Sequence, residues 1–267
     1  MPRIARTPSH HDAKIMLSTR QLVKTFGSLR AVDGLDLEVR QGSLTGLVGP
    51  NGAGKTTLFD LIAGTQAPTS GEIRFLGSRI DGLAPERIFH RGLARTFQVP
   101  RPFPQMTVLE NLMVAPVAQA GEQFWNNWIR GAAVRKEERS ARRRALELLE
   151  LCALADKAGA LAGTLSGGQL KLLELARVLM VEPKLVLLDE PAAGVNPALL
   201  ETLVERIVAI HRSGVTFLVI EHNMDLVMSV CHPVVVMAQG RILYQGDAAG
   251  ARRDPRVLDA YLGDLPQ

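Results

Sequence analysis

The chain has 267 residues and a formal net charge of +4. This length is enough for one large domain or two small ones with a substantial core. A charge this small does not by itself indicate a nucleic-acid-binding protein, and no apolar run approaches the roughly 18 residues of a membrane-spanning helix. Cys152 and Cys231 stand singly among apolar residues, which predicts buried thiols and not a metal or redox site.

The N-terminal segment, residues 1–15, mixes basic residues, histidines and prolines without an apolar core. A secretory signal needs such a core, so the segment is not predicted to be one. Its composition instead predicts a disordered tail. We therefore expect any contact with a membrane to pass through another protein.

Three strand-like segments follow, Met16–Val23, Leu35–Val39 and Leu44–Val48. Apolar and charged residues alternate in the second, which predicts a strand with one solvent-exposed face. The third is more continuously apolar, as in a strand buried on both faces. A glycine-rich loop follows it, and Lys55–Ala63 is then predicted to be a helix that ends at Gly64.

The glycine-rich loop fits the phosphate-binding pattern G-x-x-x-x-G-K-[ST]. Its residues are Gly49, Pro50, Asn51, Gly52, Ala53, Gly54, Lys55 and Thr56. Backbone N–H groups at a helix start bind a β-phosphate, and glycines permit the close approach. Lys55 is predicted to bridge the β- and γ-phosphates, Thr56 to bind Mg²⁺ and Thr57 to contact the α-phosphate. An ordinary glycine-rich turn is the alternative, which the strand–loop–helix context disfavours.

The segment from about Val108 to Met180 has helical periodicity. Within it, Arg135–Leu151 carries many charges beside an apolar stripe of Ala141, Ala145, Leu148 and Cys152. The consecutive arginines at 142–144 are compatible with a phospholipid or RNA patch. Interleaved glutamates favour the solvated face of an amphipathic helix instead.

Strands and helices alternate again from Leu185 onwards. The predicted elements are a strand at Leu185–Leu188, a helix at Ala198–His211, a strand at Thr216–Ile220, a short helix near Asp225, and strands at Val234–Met237 and Arg241–Tyr244. Such alternation predicts an α/β fold with a mostly parallel sheet that helices cover on both faces. The helical middle is then an inserted subdomain.

Two acidic residues, Asp189 and Glu190, follow the apolar strand Leu185–Leu188. They are predicted to lie at the carboxyl edge of the sheet, where α/β folds bind their ligands. An unpaired carboxylate would be costly there, so Asp189 is predicted to bind Mg²⁺. Glu190 is predicted to be the general base that activates water. A helix-capping acid pair before Pro191 is the alternative.

A third motif, Leu165, Ser166, Gly167, Gly168 and Gln169, lies between the phosphate loop and the acidic pair. Ser166 is predicted to cap the helix Gln169–Met180, so that its hydroxyl and the first N–H groups face an anion. The ordered set of three motifs resembles the nucleotide-binding subunit of ATP-binding-cassette (ABC) transporters, from about Leu17 to Leu262. The resemblance implies ATP and Mg²⁺ as cofactors. It also implies a P-loop ABC ATPase core with an N-terminal antiparallel β subdomain and an inserted helical signature subdomain.

The resemblance assigns roles to three further residues. Gln98 matches the Q-loop glutamine, which touches Mg²⁺ or the attacking water and reports the nucleotide state to the membrane subunit. His222 matches the switch histidine at the γ-phosphate, although a lone histidine is more often structural. Phe26, just after the first predicted strand, matches the aromatic that stacks on adenine. A phenylalanine of the core is the alternative for Phe26.

The family also implies partners. The signature helix of one cassette completes the nucleotide site of a second, packed head-to-tail, so we expect a homo- or heterodimer held together by ATP. Two integral-membrane permease subunits and, indirectly, an extracytoplasmic solute-binding protein are the other implied partners, with no nucleic acid. The implied location is the cytoplasmic face of the inner or plasma membrane, peripheral through the permeases.

The predicted domain organisation is a tail at residues 1–15 and one ABC ATPase domain at residues 16–267. Residues 16–98 and 181–253 are predicted to form its RecA-like and β core. Residues from about 99 to 180 are predicted to form the helical subdomain, and residues 254–267 a short C-terminal helix and tail.

Five stretches are similar to the branched-chain amino-acid importer group, namely Gly92–Gln98, Met106–Asn111, Ala193–Pro197, Ile220–Met224 and Asp254–Gly263. They indicate an importer of branched-chain amino acids or a related small polar solute. Asn196 stands where most cassettes have aspartate, and Leu170 follows the signature where a polar residue is usual.

Two alternatives share many of these motifs, an ATPase for iron–sulfur cluster assembly and an exporter subunit for lipopolysaccharide. The segment Val99–Met113 discriminates the first from a transporter. An apolar groove here, with Phe103 and Met106 near Gln98, would receive a short helix from a membrane protein. A proline-rich loop that packs on its own domain is the other interpretation.

Overall fold

The computed structural model of the protein describes residues 14–96, 100–114 and 131–262. Most of the predicted tail therefore lies outside the described residues. The described chain divides into two compact units. The first runs up to Arg91 and resumes at Thr216, and the second runs from Gly92 to Val215.

Strands and helices alternate along the chain. In chain order they are β1 (Ile15–Phe26), β2 (Leu29–Arg40), β3 (Leu44–Val48), α1 (Lys55–Ile62), β4 (Ser70–Phe75), β5 (Ser78–Arg79), α2 (Pro85–Phe89), β6 (Leu93–Arg95), α3 (Val108–Met113), α4 (Gly131–Leu151), α5 (Gly167–Leu179), β7 (Leu185–Asp189), α6 (Pro197–Arg212), β8 (Thr216–Ile220), α7 (Met224–Val230), β9 (Val234–Ala238), β10 (Arg241–Gly246), α8 (Ala248–Arg253) and α9 (Pro255–Leu262). The predicted α/β class is confirmed.

An antiparallel sheet in the order β2-β1-β4-β5 forms one part of the first unit. In β2, Leu35, Leu37 and Val39 are buried whereas Asp36 and Glu38 are exposed, so the predicted alternation is confirmed. Both β1 and β2 are longer than predicted, because a tight turn joins them in one continuous hairpin.

Parallel strands form the other part of the first unit. All residues of β3 are buried, and β3 pairs in parallel with β8 and with β9. Leu47 lies beside Ile220 in β8, and Val48 lies beside Val236 in β9. Because β3 and β8 are parallel, the segments that follow them emerge at the same edge of the sheet. Those segments carry the phosphate loop and His222.

The second unit pairs two parallel strands, β6 and β7, and contains α3 to α6. Strand β7 is buried throughout. The long helix α4 begins at Gly131, before the predicted start, and its residues Ala145 and Leu148 are buried, as is Cys152 just beyond its end. Arg142 and Arg143 are exposed, as expected of the solvated face of an amphipathic helix.

The two cysteines are buried, Cys152 in the second unit and Cys231 in the first. Burial raises the pKa of each thiol to about 12, because an apolar environment disfavours the charged thiolate. The prediction of buried thiols is confirmed. Among the described residues, none of the helices combines the length and apolar character that a membrane crossing requires.

Candidate functional site

The phosphate loop is preformed around the side chain of Lys55. Helix α1 begins at this residue, as predicted. The Lys55 ammonium is buried and donates to the carbonyl oxygens of Gly49 at 2.7 Å and Pro50 at 2.9 Å. The cation is therefore held inside the arc of the loop, at the helix end whose dipole favours an anion. Thr56 is exposed beside it, so its hydroxyl can reach a ligand.

Gly54 is required in this loop for two reasons. Its φ of +95° lies in the left-handed region, which glycine adopts without the steric cost that a Cβ imposes. A Cβ built on it would lie 2.1 Å from the Ala31 carbonyl oxygen and 2.9 Å from Met237 Cε. Gly54 is also the N-cap of α1 and has no side chain to accept from the first-turn N–H groups. The loop is therefore shaped to receive an external anion there.

His222 is the second residue after β8, at the edge where the phosphate loop follows β3. Its side chain is exposed, whereas the preceding Glu221 is buried. The His222 N–H donates to the Glu221 carboxylate at 3.2 Å, and Asn223 caps α7 by accepting from the Leu226 N–H at 3.0 Å. Local hydrogen bonds thus define the backbone around the histidine.

Phe26 is the last residue of β1, not a residue beyond it. Its side chain is 46% exposed, so the alternative of a core phenylalanine is wrong. The Lys24 ammonium lies 5.0 Å from the ring centroid. The ring therefore offers a face to solvent on which a planar base can stack.

Asp189 ends β7 in the second unit, and its side chain is buried. Its Oδ2 accepts a hydrogen bond from an Arg95 Nη at 2.7 Å, and the Asp189 N–H donates to the Thr96 hydroxyl at 3.3 Å. The predicted cost of an unpaired carboxylate is therefore avoided by an ion pair within the protein. No sequence pattern identifies Arg95 as the partner of Asp189.

Glu190 follows Asp189 and leaves the strand through a turn. Its φ is +48°, in the left-handed region that non-glycine residues seldom adopt. The Glu190 carbonyl accepts from the Ala193 N–H at 3.1 Å and lies 3.5 Å from the Lys171 ammonium. The turn ends the strand sharply at the residue whose side chain is the predicted base.

The signature segment forms a capping box at the start of α5. The Ser166 hydroxyl accepts from the Gln169 N–H at 3.4 Å, and the Gln169 side-chain oxygen accepts from the Ser166 N–H at 2.9 Å. Ser166 and Gly167 are exposed while Leu165 is buried. The predicted cap is confirmed, although the helix begins two residues earlier than predicted. Leu170 keeps a regular first turn, because its N–H donates to the Ser166 carbonyl at 2.9 Å.

Gly168 is buried, and its role in the structure is packing. A Cβ built on Gly168 would lie 2.2 Å from Leu199 Cδ2 and 3.1 Å from Val195 Cγ1. The first turn of α5 thus rests directly on the start of α6. Asn196 fixes that start, because its side-chain oxygen accepts from the Leu199 N–H at 2.9 Å. Aspartate and asparagine are equally good N-caps, which accounts for Asn196 at this position.

We expect Gly168→Ala to lower the free energy of unfolding by about 1–3 kcal/mol, since an added methyl overpacks this contact. Adding Leu199→Ala should recover part of the loss by removing the clashing methyls. Gly167→Ala is the matched control, because its Cβ would meet only the Gly194 carbonyl oxygen at 3.9 Å. Denaturant unfolding of the four proteins provides the measurement. A Gly168→Ala protein as stable as the wild type would contradict the packing role.

The remaining predicted residues do not all lie within the described chain. Gln98 lies outside it, so its predicted role stays a prediction. Thr56 and Asp189 are described, and their hydroxyl and carboxylate oxygens suit Mg²⁺. Among the described residues, no group of three or more His, Cys, Asp or Glu side chains could hold a metal by itself. Each donor, taken by itself, is of the kind that binds a magnesium ion whose other ligands are nucleotide phosphates and water.

Comparison with known proteins agrees with this geometry. Residues 32–193 match the family model described as ABC transporter. The chain is 40% identical, over 93% of its length and 95% of the relative's, to the probable branched-chain amino acid transport ATP-binding protein LivG of Archaeoglobus fulgidus. It is 42% identical, over 93% of its length and 98% of the relative's, to the high-affinity branched-chain amino acid transport ATP-binding protein BraF of Pseudomonas aeruginosa.

A solved structure shows the same fold. The chain superposes with a TM-score of 0.81 on the crystal structure of the ADP conformation of an ATP-binding cassette of an ABC transporter. That protein is 36% identical, and the match covers 94% of this chain and 100% of that one. The chain therefore belongs to the ABC transporter family, as one of its ATP-binding cassettes.

Proposed function

We propose that this chain hydrolyses ATP to power an importer of branched-chain amino acids or of a related small polar solute. The preformed phosphate loop around Lys55 is the observation that carries the proposal. The named functions of the LivG and BraF relatives support the choice of solute. They give no support to iron–sulfur assembly or lipopolysaccharide export.

The phosphate loop would bind the triphosphate. Lys55 would release the carbonyl oxygens of Gly49 and Pro50 and donate to the β- and γ-phosphates instead. This exchange is favourable because hydrogen bonds to charged acceptors are stronger than those to neutral ones. The Thr57 hydroxyl would contact the α-phosphate, and the Phe26 ring would stack on the adenine. Backbone N–H groups of the loop complete the cradle. The predicted cradle consists of Gly49, Pro50, Asn51, Gly52, Ala53, Gly54, Lys55 and Thr56. Each of these residues has a backbone N–H group apart from Pro50.

The hydrolytic step would depend on Glu190. Its carboxylate would accept a proton from the water that attacks the γ-phosphate, as a general base. His222 would donate to the γ-phosphate and hold it in line. Thr56, Asp189 and Gln98 would bind Mg²⁺, which when present neutralises charge on the phosphate oxygens.

The signature residues would serve a second cassette. The segment of Leu165, Ser166, Gly167, Gly168 and Gln169 starts α5, and its exposed residues Ser166 and Gly167 present a hydroxyl and a helix start to which an anion can bind. We propose that this end contacts the γ-phosphate of nucleotide held by the partner cassette in a head-to-tail homo- or heterodimer. ATP would then hold the two cassettes together, and hydrolysis would release them.

An apolar docking surface, formed by Phe103, Met106 and Leu161, supports attachment to a permease. These side chains are 47%, 36% and 44% exposed. The Ala162 N–H donates to the Met106 carbonyl at 2.9 Å, and Thr107 forms a β-bridge with Leu161, so the backbones are adjacent. Exposed clusters of large apolar residues are typical of protein–protein contacts.

The buried Asn111 holds the loop of this docking surface in place. Its side-chain oxygen accepts from the Phe103 N–H at 2.8 Å. Its amide nitrogen donates to the carbonyls of Phe103 and Thr107, each at 3.0 Å. A capping box between Thr107 and Glu110 starts α3 beside it. The surface is therefore a fixed feature, and we propose that a short helix of a permease subunit docks on it at the cytoplasmic face of the membrane.

We expect Phe103→Ala and Met106→Ala to lower solute uptake by roughly tenfold while basal ATPase activity stays within about twofold of wild type. Truncating one exposed anchor removes on the order of 1–3 kcal/mol of docking free energy. The measurement is leucine uptake by the reconstituted complex beside the ATPase activity of the isolated subunit. Leu146→Ala is the matched control, because Leu146 is 42% exposed on α4, outside the docking surface.

Equal loss of uptake and basal ATPase activity would assign Phe103 and Met106 to the stability of their own unit. Normal uptake in both variants would place the permease contact elsewhere. ATP hydrolysis without uptake of any branched-chain amino acid by the wild-type complex would overturn the proposed solute and leave the ATPase assignment standing.

A further inference from the structure

The buried ion pair between Arg95 and Asp189 differs from the surface pairs of the protein. The Arg95 side chain is 14% exposed and that of Asp189 is 6% exposed. In the pairs Arg241–Asp33 and Arg256–Asp254 the arginines are 68% and 66% exposed, although the aspartates are largely covered. Such pairs contribute little because water solvates the arginine charge when the pair is broken. Removal of one partner from a buried pair leaves a charge that water cannot solvate.

The position of Arg95 is set by the backbone. Strand β6 pairs with β7 so that Arg95 lies beside Leu187, two residues before Asp189. The Thr96 N–H donates to the Leu187 carbonyl at 2.9 Å, and the Thr96 hydroxyl accepts from the Asp189 N–H at 3.3 Å. The guanidinium is thus delivered to the end of β7 by strand pairing and does not depend on a flexible loop.

A carboxylate oxygen that carries a guanidinium at 2.7 Å is not equally available to a metal. The guanidinium takes Oδ2 of the carboxylate, and a divalent cation at the same carboxylate draws on the same negative charge. Two cations held at one carboxylate also repel each other. Occupation of Asp189 by one therefore disfavours occupation by the other.

We propose that Arg95 is a positioning residue. It neutralises the charge of the Asp189 carboxylate in the metal-free protein, and the ion pair breaks when Mg²⁺ binds to that carboxylate. The inference rests on the proposed role of Asp189 as a metal ligand. It deepens that role, because the affinity of the cassette for Mg²⁺ would then depend on how strongly Arg95 competes with the metal for the Asp189 carboxylate. Arg95 would weaken metal binding while it stabilises the protein without metal.

The first experiment measures metal affinity directly. Mn²⁺ is titrated into protein that is in excess over a non-hydrolysable ATP analogue, and unbound Mn²⁺ is read by electron paramagnetic resonance. Arg95→Gln should bind Mn²⁺ about tenfold more tightly than wild type, the scale of one lost charge-assisted hydrogen bond. Arg95→Lys, which keeps the charge but loses the planar fork, should fall between the two.

The second experiment measures thermal unfolding. Arg95→Gln should lower the unfolding midpoint in EDTA, because Asp189 loses its counter-charge. Saturating Mg²⁺ and analogue should recover most of this loss, so the metal-induced rise is larger than in wild type. Arg256→Gln is the matched control, since it breaks an exposed pair with the same 2.7 Å separation, and it should behave as wild type in both measurements.

Wild-type or weaker Mn²⁺ affinity in Arg95→Gln would overturn the competition and leave Arg95 a structural residue. If Arg95→Gln does not fold, Arg95→Lys replaces it, and wild-type or weaker Mn²⁺ affinity in Arg95→Lys would overturn the competition. Asp189→Asn tests the underlying assignment separately. If wild type and Asp189→Asn bind Mn²⁺ equally, Asp189 is not a metal ligand and the proposed function is wrong at that residue.

Discussion

Glu190→Gln should bind ATP with near wild-type affinity and hydrolyse it at least about a hundredfold more slowly, the scale of a lost general base. The amide cannot accept a proton from the attacking water, while the phosphate loop is unchanged. Glutamine has the same shape as glutamate, so the backbone turn at φ +48° faces no new steric demand. Because release of the dimer is proposed to follow hydrolysis, the variant should also accumulate as an ATP-bound dimer.

The chain offers a closely matched control in Glu182→Gln. Glu182 is an exposed residue of the same unit with a φ of +49°, so the same chemical change is made in the same backbone conformation. Turnover is measured by phosphate release, and dimerisation by size-exclusion chromatography with and without ATP and Mg²⁺. Turnover near wild type in Glu190→Gln, or an equal loss in Glu182→Gln, would remove Glu190 from the catalytic role.

Lys55→Met should lower the affinity for ATP by roughly a hundredfold, because the buried cation is the one side-chain charge within the described phosphate loop. Methionine preserves much of the length of the side chain without its charge. It also removes the hydrogen bonds to the carbonyls of Gly49 and Pro50. The loss is measured by calorimetric titration with ATP in EDTA, so that metal binding does not contribute.

Thermal unfolding separates this effect from misfolding, since a folded Lys55→Met protein should keep a cooperative transition. Lys157→Met, a change at an exposed lysine whose side chain is 44% exposed, should leave ATP affinity unchanged. A Lys55→Met protein that binds ATP as wild type does would show that the loop N–H groups suffice without the ammonium.

Local sequence signals predicted the parts of the candidate site that local structure determines. The glycine pattern located the phosphate loop and the first residue of α1, and a serine before a helical segment located the cap at Ser166. Apolar runs located β7 and β8 to within one residue. In each case the pattern that carries the signal spans only a few consecutive residues, although distant residues also pack against these elements.

The parts that sequence could not supply depend on distant residues. Arg95 and Asp189 are 94 positions apart, and only the parallel register of β6 and β7 brings them together. The exclusion of a Cβ at Gly168 depends on Leu199, across a helix packing that no pattern encodes. The sequence does place an arginine at the end of a short apolar segment, but it does not indicate that Asp189 is the partner of this arginine.

The Asn111 amide has a mechanical consequence. Ordering a flexible backbone costs roughly 1–2 kcal/mol per residue, and the loop from Phe103 to Thr107 is already ordered by hydrogen bonds to one buried side chain. A helix that docks there meets a stiff surface, so little displacement is absorbed at the contact. A push by the proposed permease helix would therefore pass to α3 as a rigid movement, with little deformation of the loop itself.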